Sequence, residues 1–313
     1  MDWRDEIGRR VRGECLRDAP LAPRTAVRVG GPADLLVRPS DPDDLAALLG
    51  AARELRVPLF VLGGGANTLV ADAGFRGLVV RLPPGFPGES AEGERLVLSA
   101  GAPTTRLWAR AHQRSLVGVE FVAGIPGTLG GCTAMNAGTR IGEMKDVVER
   151  VELATAGGAG FVPASALAFR YRHAEIPAGA VVSRIAFRLR PAGPAELAES
   201  ERLMQEDRDR RRITQPYDRP TFGSTFTNPP GGFAGKLIEE AGLRGHRIGN
   251  AVLSPVHANF VSNLGGATAS DVLALMRLAR ERVRERTGVV LETEVRLVGA
   301  FRPEEIEGFE RWA

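Results

Sequence analysis

The sequence predicts an α+β chain of two domains, and three observations lead there. Through residue 115, apolar strand-like runs alternate with helical stripes. Over residues 147–189 the runs are strands alone, and after a proline-bounded break helices and strands alternate again. A length of 313 residues suits two domains. The break holds Pro191, Pro194 and the aperiodic stretch 215–223, so the expected division is 1–200, in lobes 1–82 and 83–200, followed by 201–313.

Residues 25–39 carry Val27, Val29, Leu35, Leu36 and Val37 around Gly30-Gly31-Pro32, which reads as strand, turn, strand. Ser40 or Asp41 caps the next helix, and Pro42 fits its first turn, where a missing N–H costs nothing. Leu45, Leu48, Leu49, Ala52 and Leu55 give that helix its buried stripe, and Pro58 ends it. Strands follow at 59–62, 78–82 and 96–99, then a helix over 104–115. Strands are expected at 147–154, 160–162 and 180–189, and a charged helix at 195–212. A helix over 233–241 and strands at 251–253 and 259–261 come next. The helix 270–287 sets Val272, Met276, Ala279 and Val283 on one face, and Gly288 stops it. Residues 289–298 read as the last strand and 304–313 as a charged tail.

Composition narrows the function classes. Hydrophobic content of 43% and charged content of 25% are those of a globular protein with a sizeable core. No apolar run is long enough to span a bilayer. The N-terminus, Met1-Asp2-Trp3-Arg4-Asp5-Glu6, is charged and lacks the apolar centre of a secretion signal, so a cytoplasmic protein is expected. Cys15 and Cys132 are far apart, and His112, His173, His246 and His257 lack ligand spacing, so no metal site is expected. Net charge is +3, and the arginines interleave with acids, as in Glu281-Arg282-Val283-Arg284-Glu285-Arg286. That pattern is a solvated helix face and not a nucleic-acid patch.

Two glycine clusters interrupt this ordinary pattern. The stretch 124–138 packs five glycines and Pro126 into fifteen residues, and Gly63-Gly64-Gly65-Ala66-Asn67 follows the apolar run 59–62. Glycine loses more backbone freedom on folding than any other residue, so such clustering needs a local cause. Neither loop fits G-x-G-x-x-G or G-x-x-x-x-G-K-[ST]. Two tight turns would explain them, and so would two N–H-rich loops closing on a dinucleotide. In the second half, Gly223-Ser224 puts a hydroxyl on a tight turn. Glu292 and Glu294 stand at i and i+2 of the expected last strand, on one face. Phe169-Arg170-Tyr171-Arg172 alternates aromatic and arginine residues, and Arg208 to Arg212 is the one basic run.

Together these residues resemble the UDP-N-acetylenolpyruvoylglucosamine reductase family. The likeness runs in the family's order through Val29-Gly30-Gly31-Pro32-Ala33-Asp34, Leu62 to Asn67, and Gly124 to Gly138. It continues through Tyr171-Arg172, Gly223-Ser224 to Asn228-Pro229, Ala234-Gly235-Lys236-Leu237-Ile238-Glu239, and Leu291 to Val295. The resemblance implies a vanillyl-alcohol-oxidase-type FAD-binding domain followed by a smaller α/β substrate-binding domain. It implies FAD and NADPH as cofactors and a UDP-sugar as substrate, in a cytoplasmic monomer of peptidoglycan synthesis. It gives FAD to Gly63, Gly64, Gly65, Ala66, Asn67 and Thr68, and to Gly124, Ile125, Pro126, Gly127, Gly130, Gly131, Asn136, Ala137 and Gly138. It assigns the acid to Ser224 and the supporting pair to Arg172 and Glu294, with Glu292 a neighbour. The interval from Arg172 to Ser224 is too short for the family's tyrosine-bearing insertion, so the likeness is to the shorter subtype.

Some positions depart from the family pattern. Ala66 replaces a serine, Thr139-Arg140-Ile141 replaces Ala-Tyr-Gly, and Ala174 replaces a serine. Thr214 and Thr227 replace basic residues expected near the diphosphate. Arg211, Arg212, Lys236 and Arg247 are candidates to restore that charge, beside Tyr171 and Asn228 as substrate contacts. An FAD-dependent oxidase or dehydrogenase on the same fold, or a non-catalytic flavin-binding paralogue, are the alternatives.

Overall fold

The charged N-terminus is helical. Helix α1 (Trp3–Arg10) is capped by Asp2, whose carboxylate accepts from the Arg4 N–H. In this computed structural model, which describes residues 2–309, the chain forms two contact units. Met1 and residues 310–313 of the expected tail lie outside the described residues. Unit one comprises 1–17, 35–64 and 77–210; unit two comprises 18–34, 65–76 and 211–313. The expectation placed residues 18–34 and 65–76 with the first domain by chain position, whereas they cluster with the last hundred residues.

In unit one, α2 (Pro42–Glu54) starts at Asp41, whose side chain accepts from the Asp44 N–H. Leu45, Leu48, Leu49 and Ala52 are buried as the stripe requires. Asp44 is also buried, and its carboxylate accepts from the N–H groups of Arg12 (2.7 Å), Gly13 (2.9 Å) and Ser40 (2.8 Å). Three donors offset the cost of burying a charge and tie α2 to the N-terminal segment. Strand Leu59–Val61 pairs in parallel with residues 78–80. A five-stranded antiparallel sheet runs Gly158–Pro163, Val148–Thr155, Val181–Arg188, Arg95–Ser99, Ser90–Glu92. Helices α3 (Thr104–His112) and α4 (Leu129–Ala134) close on this core, and the charged helix α5 (Pro194–Thr214) leaves it.

Unit two holds a second core around α6 (Ala234–Glu240) and α7 (Ala269–Thr287). Val272, Met276, Ala279 and Val283 are all buried, and Gly288 ends α7 at φ +76°. The antiparallel sheet runs Thr221–Ser224, Phe260–Asn263, Ala251–Leu253, Arg247–Ile248.

Several expectations change. Residues 25–29 are a turn: the Arg28 N–H reaches Thr25 O at 3.1 Å, and only Pro32–Arg38 is a strand. Strand Glu14–Pro20 was not foreseen. The last strand covers only Arg296–Val298, paired in parallel with Thr68–Val70. The start of the tail docks on α7: Ile306 is buried, and Arg277 Nη2 donates to Glu304 O (2.8 Å) and Glu305 O (3.0 Å).

Candidate active site

The two glycine stretches meet within unit one. A Cβ on Gly64 would lie 2.6 Å from Gly127 Cα, and one on Gly63 would lie 2.5 Å from Thr128 Oγ1. At Gly64 the neighbour is backbone, so that glycine lets two backbones touch, while at Gly63 it is the Thr128 side chain. Gly130 is pressed on Ala100 in the same way, with a Cβ distance of 2.8 Å. The second stretch is pinned by Thr104, whose hydroxyl donates to Ile125 O at 2.7 Å. Thr128 caps α4 by accepting from the Gly131 N–H. Among the described residues, the N–H groups of Gly63, Gly64, Gly127 and Thr128 have no protein acceptor. A side-chain-free joint edged by four unspent donors fits the diphosphate of FAD. Gly124, Pro126, Gly131, Ala137 and Gly138 lie along the same stretch. Asn136 is buried, and its amide is taken up by protein partners, so its side chain belongs to the frame of this stretch.

The rest of the first loop falls in unit two. Gly65 has φ +63° and is packed on the Arg24 carbonyl and Thr25. Ala66 and Asn67 form the turn into strand Thr68–Val70, where Thr68 is buried opposite Arg296. Sequence reasoning missed Thr128 as a participant; a threonine directly before a short glycine-rich helix was the available signal.

Ser224 and Glu294 come together in unit two. Ser224 ends its strand after Gly223, which has φ +84°, and pairs with Phe260. Two residues on, Phe226 bridges to Thr293, and the Glu294 N–H donates to Thr225 O at 2.9 Å. Buried Asn259 clamps Phe226 through both ends of its amide, at 3.0 and 2.8 Å. Asn67 Nδ2 donates to Glu294 O at 2.9 Å. The peptide on either side of Glu294 is thereby fixed. Its side chain is half-buried while that of Glu292 is exposed. The pair was expected on one face of a strand; instead the two residues flank an isolated bridge. The Ser224 hydroxyl has no hydrogen-bond partner among the described residues. Arg296, given no role from the sequence, is partly buried, and desolvation lowers its pKa to about 10, so it stays cationic near neutral pH.

Arg172 stands in unit one, in a turn closed by mutual backbone bonds between Arg170 and His173 (2.8 and 3.2 Å). Its φ is +58°, a conformation costly for a non-glycine residue. Arg172 Nη1 donates to Gly138 O at 3.2 Å, and the guanidinium lies 5.1 Å over the exposed Tyr171 ring.

The basic candidates separate by how much of each is spent. Arg247 donates to Gly249 O (2.6 Å) and Asn250 Oδ1 (2.7 Å) within its own hairpin. Lys236 is exposed, 3.7 Å from Glu240. Asn228 Oδ1 accepts from the Ala234 N–H, which starts α6. Arg211 reaches only Gln215 (3.4 Å), and its buried Nε has no partner among the described residues, so it keeps a donor for an anion. Arg212 is exposed.

Cys132, the one cysteine inside the cradle, lies in the first core, and burial pushes its thiol pKa up to about 12. A thiol so raised is a poor nucleophile at neutral pH. We expect thiol reagents to label Cys15 and spare Cys132 in the folded protein, and denaturation to free the flavin. Peptide mass spectrometry checks both; a flavin adduct on Cys132 would reverse this reading. Among the described residues, no group of three metal-binding side chains could hold an ion, and no helix is long and apolar enough to cross a membrane.

Comparison with known proteins shows the family. Residues 33–160 match the FAD binding domain family, and residues 215–298 match the C-terminal domain family of UDP-N-acetylenolpyruvoylglucosamine reductase. The reductase of Anaeromyxobacter sp. (strain Fw109-5) is 74% identical over 98% of this chain and 96% of its own. That of Myxococcus xanthus is 51% identical over 90% of this chain and 91% of its own. The crystal structure of the Thermus caldophilus reductase superposes with a TM-score of 0.78 at 38% identity, covering 92% of this chain and 99% of that one. The expected order, a FAD-binding domain and then a substrate-binding domain in an α+β fold, is borne out. This chain belongs to the UDP-N-acetylenolpyruvoylglucosamine reductase family, oxidoreductases of peptidoglycan synthesis that use FAD and NADPH.

Proposed function

We propose that this protein reduces the enolpyruvyl ether of UDP-N-acetylglucosamine to UDP-N-acetylmuramate, acting as a cytoplasmic monomer. The observation that carries the reading is the meeting of Ser224, with its unspent hydroxyl, and the clamped Glu294 peptide. FAD, when bound, would supply the hydride chemistry, with NADPH as the source and the methylene carbon of the enolpyruvyl group as the acceptor. Electron density then gathers on the α-carbon and its carboxylate. Arg172 offers charged donors to that density, which is worth most where water is excluded. Ser224 gives its proton to the α-carbon, forming the C–H bond, and recovers a proton from solvent. A serine is a weak acid, so the strong basicity of the enolate-like carbon drives the transfer. Glu294, protonated or sharing a proton, holds the substrate carboxylate by a hydrogen bond. Gly63, Gly64, Gly127 and Thr128, whose N–H groups have no protein acceptor among the described residues, would hold the FAD diphosphate. Arg211, whose buried Nε has no partner among the described residues, and the exposed Arg212 would supply the positive charge that Thr214 and Thr227 do not.

The experiment is direct. The purified protein should be yellow, NADPH should bleach it under anaerobic conditions, and the enolpyruvyl sugar nucleotide should restore the colour. Bleaching without restoration by this substrate would favour an oxidase or a paralogue instead.

A further inference from the structure

Asn136 is fully buried and its backbone is left-handed, with φ +41°. Its amide joins three segments of unit one. Nδ2 donates to Glu143 Oε2 at 2.9 Å and to Arg170 O at 3.0 Å, while Oδ1 accepts from the Lys145 N–H at 2.9 Å. Both amide hydrogens are therefore spent, and the side chain has none left for a cofactor. A satisfied buried amide of this kind acts as a rigid clamp.

What it clamps is specific. Arg170 opens the tight turn that presents Arg172, and Arg172 reaches back to Gly138 O, two residues beyond Asn136. Gly138 pairs with Glu143 across a small hairpin, and Glu143 is the other acceptor of the Asn136 amide. The Arg172 turn is thus held at its backbone by Asn136, and its guanidinium is held by the strand that Asn136 also fixes. The strained φ of Arg172 needs such outside support.

From this we infer that Asn136 is a positioning residue for Arg172, setting the guanidinium for the second half-reaction. The inference deepens the proposed function and rests on the role given there to Arg172.

The test is rapid mixing of the FAD-loaded enzyme. Asn136→Asp keeps the side-chain volume and tolerates a left-handed backbone, but removes both donors. We expect NADPH to reduce its flavin at close to the normal rate. Reoxidation by the enolpyruvyl substrate should slow by about 100-fold, the scale of a misplacement of roughly one ångström. In an Arg172→Gln background the same substitution should slow reoxidation no further, since coupled residues are not additive. If the Asp variant does not fold, Asn136→Gly, for which a left-handed backbone is unstrained, should give the same pattern. Equal loss in both half-reactions, or full additivity with Arg172→Gln, overturns the inference. Normal reoxidation in the Asn136 variants beside strong loss in Arg172→Gln overturns the inference alone. Normal reoxidation in Arg172→Gln itself removes the proposed role of Arg172 and this inference with it.

Discussion

Replacing Ser224 by alanine will leave NADPH-driven bleaching of the flavin intact and lower turnover by about 10²- to 10⁴-fold, the usual span for a positioned proton donor. The substitution deletes one hydroxyl that has no hydrogen-bond partner among the described residues, so it orphans none of them. Its strand pairing with Phe260 is backbone only and survives. Stability should therefore barely move while the second half-reaction fails. Single-turnover absorbance traces of both half-reactions, with a thermal melt as control, make the comparison. Near-normal turnover in Ser224→Ala would remove Ser224 as the acid.

Gly64→Ala should damage the joint between the two glycine stretches. The new Cβ would lie 2.6 Å from Gly127 Cα and 3.1 Å from Gly127 C, both backbone atoms that no rotamer change can move aside. Separating the two loops costs about 1–3 kcal/mol by analogy with other overpacked sites. It also disperses the N–H donors of Gly63, Gly64, Gly127 and Thr128. The expected result is a lower melting temperature and loss of yellow colour per mole of purified protein. Gly85→Ala is the control, because nothing lies within 4 Å of its added Cβ. A Gly64→Ala protein as yellow and as stable as that control would show that the loops do not need their contact.

Much of this was legible because it is local. The stripe Val272, Met276, Ala279, Val283 and the stop at Gly288 define α7 by period and by one left-handed residue. Asp41 and Pro42 start α2 through chemistry confined to one turn. The strands at Val148–Thr155 and Val181–Arg188 were visible as apolar runs. The site was legible in a different way, through seven motifs in a family's order, none of them decisive alone.

What was illegible depends on partners distant in the chain. Strand Glu14–Pro20 is mostly exposed and polar, so it carries no apolar alternation to announce it. The Val289–Val298 run looked like one strand, but Arg296–Val298 alone finds an open edge, at Thr68–Val70. Glu294 is held by Asn67, 227 residues away, and nothing near either residue signals that bond.

The amino-acid order alone carried the α+β class, the helices with a strong stripe or cap, and the two glycine stretches as clusters needing a local cause, either tight turns or ligand-binding loops. Period and capping act within a few residues, so they can be read from the chain directly. The folded chain was needed to show that Gly64 touches Gly127, that residues 18–34 and 65–76 cluster with the C-terminal segment, and that Asn136 faces inward to hold the Arg172 turn. Those outcomes follow from burial and hydrogen-bond satisfaction between segments far apart in sequence, which local pattern does not encode.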